Sequence, residues 1–336
     1  MTDSIELIQG IGREGMQVNR YIAEDIALLR GSMEPLLCDI LEYGLLSGGK
    51  RIRPLLVLMA ARLCGNNGLE TYRLATGFEY LHAATLFHDD IIDHSDLRRG
   101  QESIAKKFGM EAAILAGDFL HTRAMIFVGE MVGAEGLRRF GKATSAMVDG
   151  EFLQLRNAQE YNISELDYYR AVMGKTGVLI AAACELGALY GGGSEAEIAA
   201  LRSYGEKLGS AFQIVDDLLD YQGDTALTGK AVGNDLAEGK MTLPLILALS
   251  QAKKRGDTPA VCRVEKILAD ENLRAESFTE ISAFIEKYNG FAEARDHAEA
   301  DISFACQQLH IFKSRDIQDE MNLLVGLGHY ILSRKK

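Results

Sequence analysis

Residues 79–93 read EYLHAATLFHDDIID, an apolar run that ends in three aspartates, Asp89, Asp90 and Asp93. An apolar run of this length without proline or glycine predicts a helix. Residues four positions apart lie on the same face of a helix, so Asp89 and Asp93 share one face. The segment therefore predicts a mostly buried helix with a cluster of carboxylates at its end.

The same helical pattern extends over the rest of the chain. Only four prolines occur in 336 residues, 47% of the residues are apolar, and many glycines stand at the ends of apolar runs. Apolar spacing predicts two helices within residues 5–46, further helices at 54–64, 72–93, 111–131, 137–155, 164–172, 178–190, 194–221 and 243–253, and three more before the C-terminus. No strand pattern, linker or short repeat interrupts them. We therefore expect an all-α fold, a single-domain bundle of about a dozen helices over residues 1–336.

The composition argues against several classes of protein. A net charge of -12 disfavours a nucleic-acid partner, because phosphate backbones bind to basic faces. The five cysteines lack CxxC spacing, which predicts reduced, buried and unreactive thiols rather than a zinc site or a disulfide framework. The first residues show no signal-peptide pattern, and no uninterrupted apolar run approaches the ~20 residues of a membrane span. The sequence therefore predicts a cytoplasmic protein without a transmembrane segment.

A second acidic motif lies in the other half of the chain. Residues 209–220 read GSAFQIVDDLLD and end in Asp216, Asp217 and Asp220. One such motif is equally compatible with a solvated helix end, but two copies on apolar runs predict buried carboxylates, which repel unless cations compensate them. An all-oxygen ligand set favours Mg²⁺ over Zn²⁺, and Mg²⁺ is commonly shared between carboxylates and a phosphate. The two motifs therefore predict a magnesium site for a phosphorylated ligand.

Basic residues accompany both acidic motifs, although the chain is acidic overall. They lie in residues 48–54 (GGKRIRP), 97–100 (LRRG), 174–177 (GKTG), 229–230 (GK) and 238–240 (EGK). Any one of them is most simply an ordinary surface charge, but as a set they indicate anion binding. Glycine lets a phosphate approach the backbone, arginine binds it with a bidentate fork, and lysine binds it with a compact charge. The pattern predicts two separate phosphate subsites.

The order of these motifs along nearly the whole chain resembles that of the trans-isoprenyl diphosphate synthases, also called polyprenyl synthetases. The resemblance is carried by GGKRIRP (48–54), DLRRG (96–100), GDFL (117–120), GKTG (174–177), FQIVDDLLDY (212–221) and GKAVGNDLAEGKMTLPLI (229–246). Within the family, the chain is most similar to the long-chain octaprenyl and polyprenyl diphosphate synthases. The resemblance implies the isoprenoid synthase fold, with helices around a central cavity. It also implies that the protein condenses isopentenyl diphosphate with an allylic diphosphate to a linear medium- or long-chain polyprenyl diphosphate, as used for quinone side chains.

The resemblance also assigns roles to individual residues. It implies that about two or three Mg²⁺ ions bind with the allylic diphosphate through Asp89, Asp93, Asp216 and Asp220, supported by Asp90 and Asp217. The residues implied in catalysis are Asp89, Asp90, Asp93, Arg98, Lys175, Asp216 and Lys230. Those implied in binding the allylic diphosphate are Arg98, Lys175, Thr176, Gln213, Lys230 and Lys240. Those implied for isopentenyl diphosphate are Lys50, Arg53, His82 and Arg99, with the basic tail 334–336 closing over it.

Residues on the first acidic helix are expected to set the length of the product. A growing prenyl tail must run away from the metals along this helix, so the resemblance implies that Leu81, Ala84 and Thr85 line its path. At 1.5 Å per residue, Ala84 lies about 7.5 Å and Leu81 about 12 Å from Asp89. Ala84 is small where short-chain members tend to carry an aromatic stopper. This predicts a product of roughly C30 to C50, centred near C40, unless the ring of Phe87 enters the path.

Other functions are compatible with parts of the sequence. A short-chain (farnesyl or geranylgeranyl) diphosphate synthase shares the motifs, and a terpene cyclase shares the ionisation chemistry but needs only one diphosphate subsite. A non-catalytic synthase-like subunit does not require two intact acidic motifs. His88 and Asp89 suggest a metal phosphohydrolase with a His-Asp pair, but the other histidines form no matching ligand set.

The sequence also bears on partners. Long apolar and small-residue stretches at 112–131 exceed what one catalytic cavity needs, which predicts a homodimer. The apolar product implies a peripheral membrane contact for its release.

Overall fold

The computed structural model describes residues 2–160, 164–223, 232–313, 315 and 317–334, and these residues are almost entirely helical. The first helices are α1 (Thr2–Leu29), α2 (Pro35–Leu46), α3 (Ile52–Leu63), α4 (Thr71–Ile92), α5 (Ile104–Phe108) and α6 (Met110–Glu160). The next are α7 (Glu165–Val172), α8 (Val178–Tyr190) and α9 (Glu195–Gln222), with a π-helical turn, Met173–Gly177, between α7 and α8. The C-terminal helices are α10 (Asn234–Ala237), α11 (Leu243–Lys254), α12 (Thr258–Leu268), α13 (Glu271–Glu276), α14 (Phe278–Lys287), α15 (Gly290–Gln308) and α16 (Gln318–Leu332). The prediction of an all-α fold is confirmed.

The helices lie close to their predicted positions, with three differences. Strands β1 (Leu97–Arg98) and β2 (Gln101–Glu102) form a small antiparallel ribbon, which is too short to produce an alternating sequence pattern. The predicted helices 111–131 and 137–155 both belong to α6, which is interrupted at Gly133 by a φ of 74°. Five helices rather than three follow residue 254 in the described part of the chain, because short helices such as α13 cover too few turns to show a period.

The chain forms two compact units. The first comprises Met1–Lys142, Ala182–Leu201 and Ser314–Leu324, and the second comprises Ala143–Ala181, Arg202–Lys313 and Val325–Lys336. The first acidic motif therefore belongs to the first unit and the second motif to the second unit. A single domain over residues 1–336 with a central cavity stays a prediction.

In the first unit, small residues let helices approach α3 and α4 closely. Gly187 of α8 lies against the backbone of Val57 in α3, where a Cβ would collide with the carbonyl group. Gly77 of α4 lies against Ala124 and Phe127 of α6. These contacts fix the position of α4, whose last turn carries the first acidic motif.

In the second unit, glycine contacts hold the π-helical turn between two long helices. A Cβ on Gly150 of α6 would lie 2.7 Å from the Cα of Gly174, and one on Gly209 of α9 would lie 2.6 Å from the Cα of Gly177. Only glycine allows backbones to come this close. The GKTG segment is thereby placed beside α9, whose end carries the second acidic motif.

Among the residues that the structure describes, two helical stretches are long and apolar enough to cross a membrane, Met110–Asn157 and Glu165–Tyr190. The most apolar window is 39% buried inside the protein in the first and 72% buried in the second. A buried core helix passes the same test of length and composition as a membrane span. The expected absence of a transmembrane segment and the cytoplasmic location stay predictions.

The cysteines are free thiols in the structure, as their spacing predicts. Cys38 and Cys184 are buried, Cys64 and Cys306 are partly buried, and Cys262 is exposed. Burial raises the pKa of Cys64 to about 11 and so disfavours its reactive thiolate. The expectation that all the thiols are buried is wrong for Cys262, which lies on the outer side of the amphipathic helix α12.

Candidate active site

The first acidic motif forms the last turn of α4 and has an inner and an outer part. Asp90 is buried, and its Oδ1 accepts hydrogen bonds from Arg98 Nε at 2.8 Å and Nη2 at 2.5 Å. Asp89 is half-buried, and Asp93, the C-terminal cap of the helix, is exposed. Asp90 is therefore committed to Arg98, whereas Asp89 and Asp93 are the outer carboxylates that a cation from solvent can reach.

The β1–β2 ribbon decides where the two arginines of the LRRG segment point. Arg99 and Gly100 form its turn with positive φ values of 53° and 78°, as tight antiparallel turns require. Arg98 consequently points back to α4, whereas Arg99 donates a hydrogen bond to the carbonyl oxygen of Gly48. Gly49 lies against the same guanidinium, and a Cβ there would stand 2.9 Å from Nη1 at a φ of 135°. The ribbon thus joins the LRRG segment to the GGKRIRP segment.

Arg51 fixes the GGKRIRP segment to its neighbouring helices through buried contacts. It is buried, forms an ion pair with Glu79 of α4, and donates a hydrogen bond to the carbonyl oxygen of Leu45. Its Nε also donates to Asn19 of α1 at 2.8 Å. The charge of Arg51 is therefore compensated within the protein. The sequence alone could not show that Arg51 is buried and paired whereas Arg53 is available to a ligand.

Positively charged side chains surround His82 in the first unit. Burial, followed by the charges of Arg53, Arg99, Arg51 and Arg98, holds the pKa of His82 well below its usual value. Burial also lowers the pKa of both Arg53 and Arg99. The Nε of Arg53 is buried and has no hydrogen-bond partner among the described residues. Groups whose charged forms are disfavoured in this way gain most from a bound anion. Lys50, the remaining predicted residue of this set, is exposed.

The second acidic motif, at the end of α9, repeats the inner and outer arrangement. Asp217 is only 3% exposed, whereas the Asp216 side chain is 52% exposed and Asp220 is half-buried. Asp217 accepts hydrogen bonds from Tyr168 Oη at 2.7 Å, Gln213 Nε2 at 3.0 Å and the backbone N–H of Leu243 at 3.4 Å. Asp216 and Asp220 are therefore the outer carboxylates of this motif.

Asp235 of α10 is a fourth carboxylate that the DDxxD pattern does not identify. Its backbone N–H donates to Asp220 at 3.2 Å, and its carboxylate pairs with Lys240 at 3.3 Å. Burial and then the charge of Asp235 raise the pKa of Asp217 to about 7 and that of Asp220 to about 6. Burial raises the pKa of Asp235 as well. The four carboxylates together carry more negative charge than Lys240 compensates, so a cation bound among them would be stabilised. The segment 229–246 was the sequence signal that could have identified Asp235.

The structure also brings several predicted basic and polar residues to this part of the second unit. A cavity of about 210 Å³ is lined by Tyr168, Lys175, Gln213, Asp216, Asp235 and Lys240, among others. Lys175 pairs with Glu151 at 3.1 Å, and the hydroxyl of Thr176 donates to Gln213 Oε1 at 3.3 Å. Lys230, which was predicted in both the catalytic and binding sets, lies outside the described residues. Tyr168 was not predicted, because a tyrosine on a short helix carries no distinguishing pattern.

The C-terminal arginine lies beside the second acidic motif. Arg334 Nη2 is 3.3 Å from Asp216 Oδ1, and its guanidinium lies over the ring of Phe212, 4.6 Å from the centroid. The rest of the predicted basic tail, Lys335 and Lys336, lies outside the described residues. Arg334 thus lies beside an outer carboxylate of the second acidic motif.

The predicted chain-length residues lie on the side of α4 that faces α6. Gly77 contacts α6 at Ala124, and His88, about 20° away around the helix, lies against Gly117, where a Cβ would collide with its ring. Ala84 and Leu81 fall between these two contacts on the same face, and both are buried. Thr85 is partly exposed, and its hydroxyl donates to the carbonyl oxygen of His82 at 2.8 Å.

Phe87 follows Ala84 by three residues, which places it about 60° away around α4. Its ring packs so closely on Gly44 of α2 that a Cβ there would collide with it, and it is only 4% exposed. The ring is also close to Ile104 of α5, which contacts the same glycine. The ring of Phe87 is therefore packed against α2, and the assignment of Ala84 to the path of the prenyl tail stays a prediction.

We expect the metal-free protein to lose stability as the pH rises from 5 to 8. The pKa of Asp217 is raised to about 7, so its neutral form stabilises the fold. This contribution is fully present below the unfolded pKa of about 4 and is lost as the pH rises through about 7, with a total of about 4 kcal/mol. Urea unfolding in EDTA at several pH values measures the change.

Asp217→Asn is the matched control for this pH dependence. The asparagine cannot ionise, so the difference in unfolding free energy between the two proteins should itself vary with pH. Parallel stability curves for the variant and the unmodified protein between pH 5 and 8 would show that Asp217 does not titrate in this range.

Comparison with known proteins identifies the family. The sequence model of the family described as polyprenyl synthetase matches residues 34–281 of the chain. The octaprenyl diphosphate synthase of Haemophilus influenzae is 35% identical over 326 residues, which cover 97% of this chain and 96% of that protein. The structure of a decaprenyl diphosphate synthase from Rhodobacter capsulatus matches with a TM-score of 0.86 and 31% identity over 99% of both chains. A polyprenyl synthase from Caulobacter crescentus, solved in complex with calcium and isoprenyl diphosphate, matches with a TM-score of 0.84 and 32% identity over 99% of this chain and 98% of that chain. The chain therefore belongs to the polyprenyl synthetase family and, as its sequence predicts, is a prenyltransferase.

Proposed function

We propose that this prenyltransferase condenses isopentenyl diphosphate with an allylic diphosphate and releases a linear medium- or long-chain polyprenyl diphosphate. The observation that carries the proposal is the cation cluster around His82, formed by Arg53 and Arg99 with Arg51 beneath them. The acidic motifs and their basic neighbours serve one diphosphate, and this additional cluster serves a second. The octaprenyl and decaprenyl synthases among the relatives support a long product over a short one.

We assign the metal sites to the outer carboxylates Asp89, Asp93, Asp216 and Asp220. The donors are all oxygen, and burial and then the charge of Asp235 raise the pKa of Asp220, which disfavours its ionised form unless a cation binds. Within the described ranges, no three or more His, Cys, Asp or Glu side chains are grouped so that they could hold a metal ion by themselves. Mg²⁺ keeps water and phosphate ligands beside one or two carboxylates. About two or three Mg²⁺ ions bound with the allylic diphosphate would compensate the negative charge of these carboxylates.

The proposed reaction begins with loss of diphosphate from the allylic substrate. Bound Mg²⁺ would neutralise the charge that develops on the departing diphosphate. Arg98, Lys175 and Lys240 would add fixed positive charge around the same group, with Lys230 in the same predicted role. Arg53, His82 and Arg99 would hold the diphosphate of isopentenyl diphosphate and keep its double bond near the allylic carbon, so that the two substrates react as one bound pair. The double bond of isopentenyl diphosphate would attack the allylic cation to form the new carbon–carbon bond, and the resulting cation would lose a proton to the released diphosphate, which restores an allylic product for the next round.

Arg53→Ala should weaken the binding of isopentenyl diphosphate selectively. It removes a partly buried guanidinium, and a charge-assisted hydrogen bond lost here should raise the KM for isopentenyl diphosphate about 10- to 100-fold. The KM for the allylic diphosphate should stay within about threefold, because Asp89 and Asp93 are untouched. Steady-state kinetics with each substrate varied in turn measures both values.

Arg20→Ala is the control for Arg53→Ala, because Arg20 lies exposed on α1 and pairs with Glu24. It should leave both KM values unchanged. Equal increases in the two KM values of Arg53→Ala would contradict the assignment of a separate subsite for isopentenyl diphosphate.

We further propose a homodimer. Large apolar side chains stand exposed along the part of α6 that belongs to the first unit, among them Ile114 at 43%, Leu115 at 67% and Met125 at 43%. An exposed apolar stripe of this kind is typical of a subunit interface. Analytical ultracentrifugation should give a dimer at micromolar concentration and a shift toward monomer for Leu115→Glu. A monomeric unmodified chain would contradict the proposal.

Release of pyrophosphate distinguishes the proposed function from its rivals. Purified chain with Mg²⁺ and farnesyl diphosphate should release little pyrophosphate until isopentenyl diphosphate is added. A terpene cyclase would release pyrophosphate from farnesyl diphosphate alone, and a non-catalytic subunit would release none in either case. Either result would overturn the proposal.

A further inference from the structure

Asp217 occupies a central place in the second acidic motif although it does not face the outer carboxylates. It is buried, it precedes Asp220 by three residues, and it directly follows Asp216. Any rotation of the last turn of α9 would therefore move all three carboxylates together. The hydrogen-bond donors that fix Asp217 therefore also fix the orientation of Asp216 and Asp220.

Three donors from three elements hold the Asp217 carboxylate. Tyr168 Oη of α7 donates to Oδ2 at 2.7 Å, Gln213 Nε2 donates to Oδ1 at 3.0 Å, and the N–H of Leu243 at the start of α11 donates to Oδ2 at 3.4 Å. The Leu243 contact is long, and Gln213 stands on α9 itself, one turn before Asp217. The short hydrogen bond from Tyr168 is therefore the strongest contact from another element.

The hydroxyl group of Tyr168 can be separated from the packing of its ring. The ring is buried and packs edge-on against Tyr169, with 5.4 Å between the ring centroids. Replacement by phenylalanine keeps this ring contact and removes only the hydrogen bond to Asp217. The neighbouring Tyr169 instead hydrogen-bonds to His297 Nδ1 at 2.8 Å, so Tyr169→Phe removes the same atom from the same helix without touching the acidic motif.

We propose that Tyr168 is a positioning residue for the second acidic motif, which acts through Asp217 to aim Asp216 and Asp220 at the bound cation. The inference rests on the proposed function. Without the hydroxyl group, Oδ2 of Asp217 retains only the long contact to Leu243 among the described residues, and the last turn of α9 loses its short hydrogen bond to α7. Outer-sphere partners of metal ligands commonly contribute 10- to 100-fold to metal affinity, and we expect an effect of about tenfold here.

The test measures binding of Mn²⁺ in the presence of inorganic pyrophosphate, followed by the paramagnetic resonance of free Mn²⁺. Tyr168→Phe should bind Mn²⁺ about tenfold more weakly and need about tenfold more Mg²⁺ for half-maximal turnover, as expected for an outer-sphere partner. Its KM for isopentenyl diphosphate should stay within about twofold, because that ligand is assigned to the cluster around His82. Tyr169→Phe should match the unmodified protein in all three measurements.

A second variant shows whether Tyr168 acts through Asp217. In an Asp217→Asn background, adding Tyr168→Phe should weaken Mn²⁺ binding by less than about twofold, because the two residues form one unit. Circular dichroism measures whether each variant is folded. If Tyr168→Phe does not fold, Asp217→Asn alone serves as the test, and it should weaken Mn²⁺ binding.

Three results would overturn the inference. The first is unchanged Mn²⁺ binding in Tyr168→Phe, the second is an equal loss in Tyr169→Phe, and the third is a full tenfold loss on top of Asp217→Asn. An unmodified protein that neither binds Mn²⁺ with pyrophosphate nor turns over would instead overturn the proposed function itself.

Discussion

Replacing Asp216 with alanine is expected to lower turnover by about 10³-fold while the fold stays intact. The side chain is largely exposed and lies at the outer edge of the second acidic motif, so little packing is lost. Its removal deletes a proposed metal ligand and also relieves repulsion with Asp217 and Asp235. The melting temperature in EDTA should therefore be unchanged or higher. Asp89→Ala should behave in the same way at the first motif.

Asp296→Ala is the matched control, because Asp296 is an exposed aspartate on α15 remote in sequence from either motif. Pyrophosphate release and thermal unfolding of the variants, each with and without Mg²⁺, measure the effects. Asp216→Ala should lose the stabilisation that Mg²⁺ with pyrophosphate gives the unmodified protein. Turnover of Asp216→Ala within about tenfold of Asp296→Ala would contradict the metal assignment.

Replacing Ala84 with phenylalanine is expected to shift the products from roughly C40 to C15 or C20. Ala84 is buried on the face of α4 that packs against α6, and it lies about 7.5 Å along the helix from Asp89. A phenylalanine ring there would obstruct the path of the growing tail. The first condensation needs little of that path, so its rate should fall by less than about tenfold. Chromatography of the extracted products measures their length distribution.

A series of side chains at position 84 supplies the control. Ala84→Ser, which is nearly isosteric, should keep the original product length, and Ala84→Leu should give intermediate lengths. A length distribution that is the same for serine, leucine and phenylalanine would show that Ala84 does not line the tunnel. Loss of all activity together with a lower melting temperature in Ala84→Phe alone would indicate disruption of the α4–α6 packing. The product length of Ala84→Leu would then decide whether Ala84 lines the tunnel.

The helices were predictable because most of them are long and apolar at a regular spacing. Helix α8 begins and ends where the sequence predicts, whereas the β1–β2 ribbon is invisible to any periodicity because each strand has two residues. The break at Gly133 was predictable as well, because it falls between the predicted helices 111–131 and 137–155.

The site was predictable only as far as local patterns reach. The DDxxD spacing identified both acidic motifs, and helix geometry placed Asp89 and Asp93 on one face. It could not show what the middle aspartates meet, because Tyr168 is 49 residues from Asp217 and Arg51 is 28 residues from Glu79. Asp235 was missed for the same reason, as only the fold brings it to Asp220.

The most direct test is mass spectrometry of the products formed from isopentenyl diphosphate and farnesyl diphosphate with Mg²⁺. We expect a series of linear prenyl diphosphates that increase by five carbons and end at roughly C30 to C50, with no product when EDTA is present. The same series should disappear in Asp216→Ala and shorten in Ala84→Phe. A cyclic product from farnesyl diphosphate alone, or no incorporation of isopentenyl diphosphate by the purified chain, would contradict the proposed condensation.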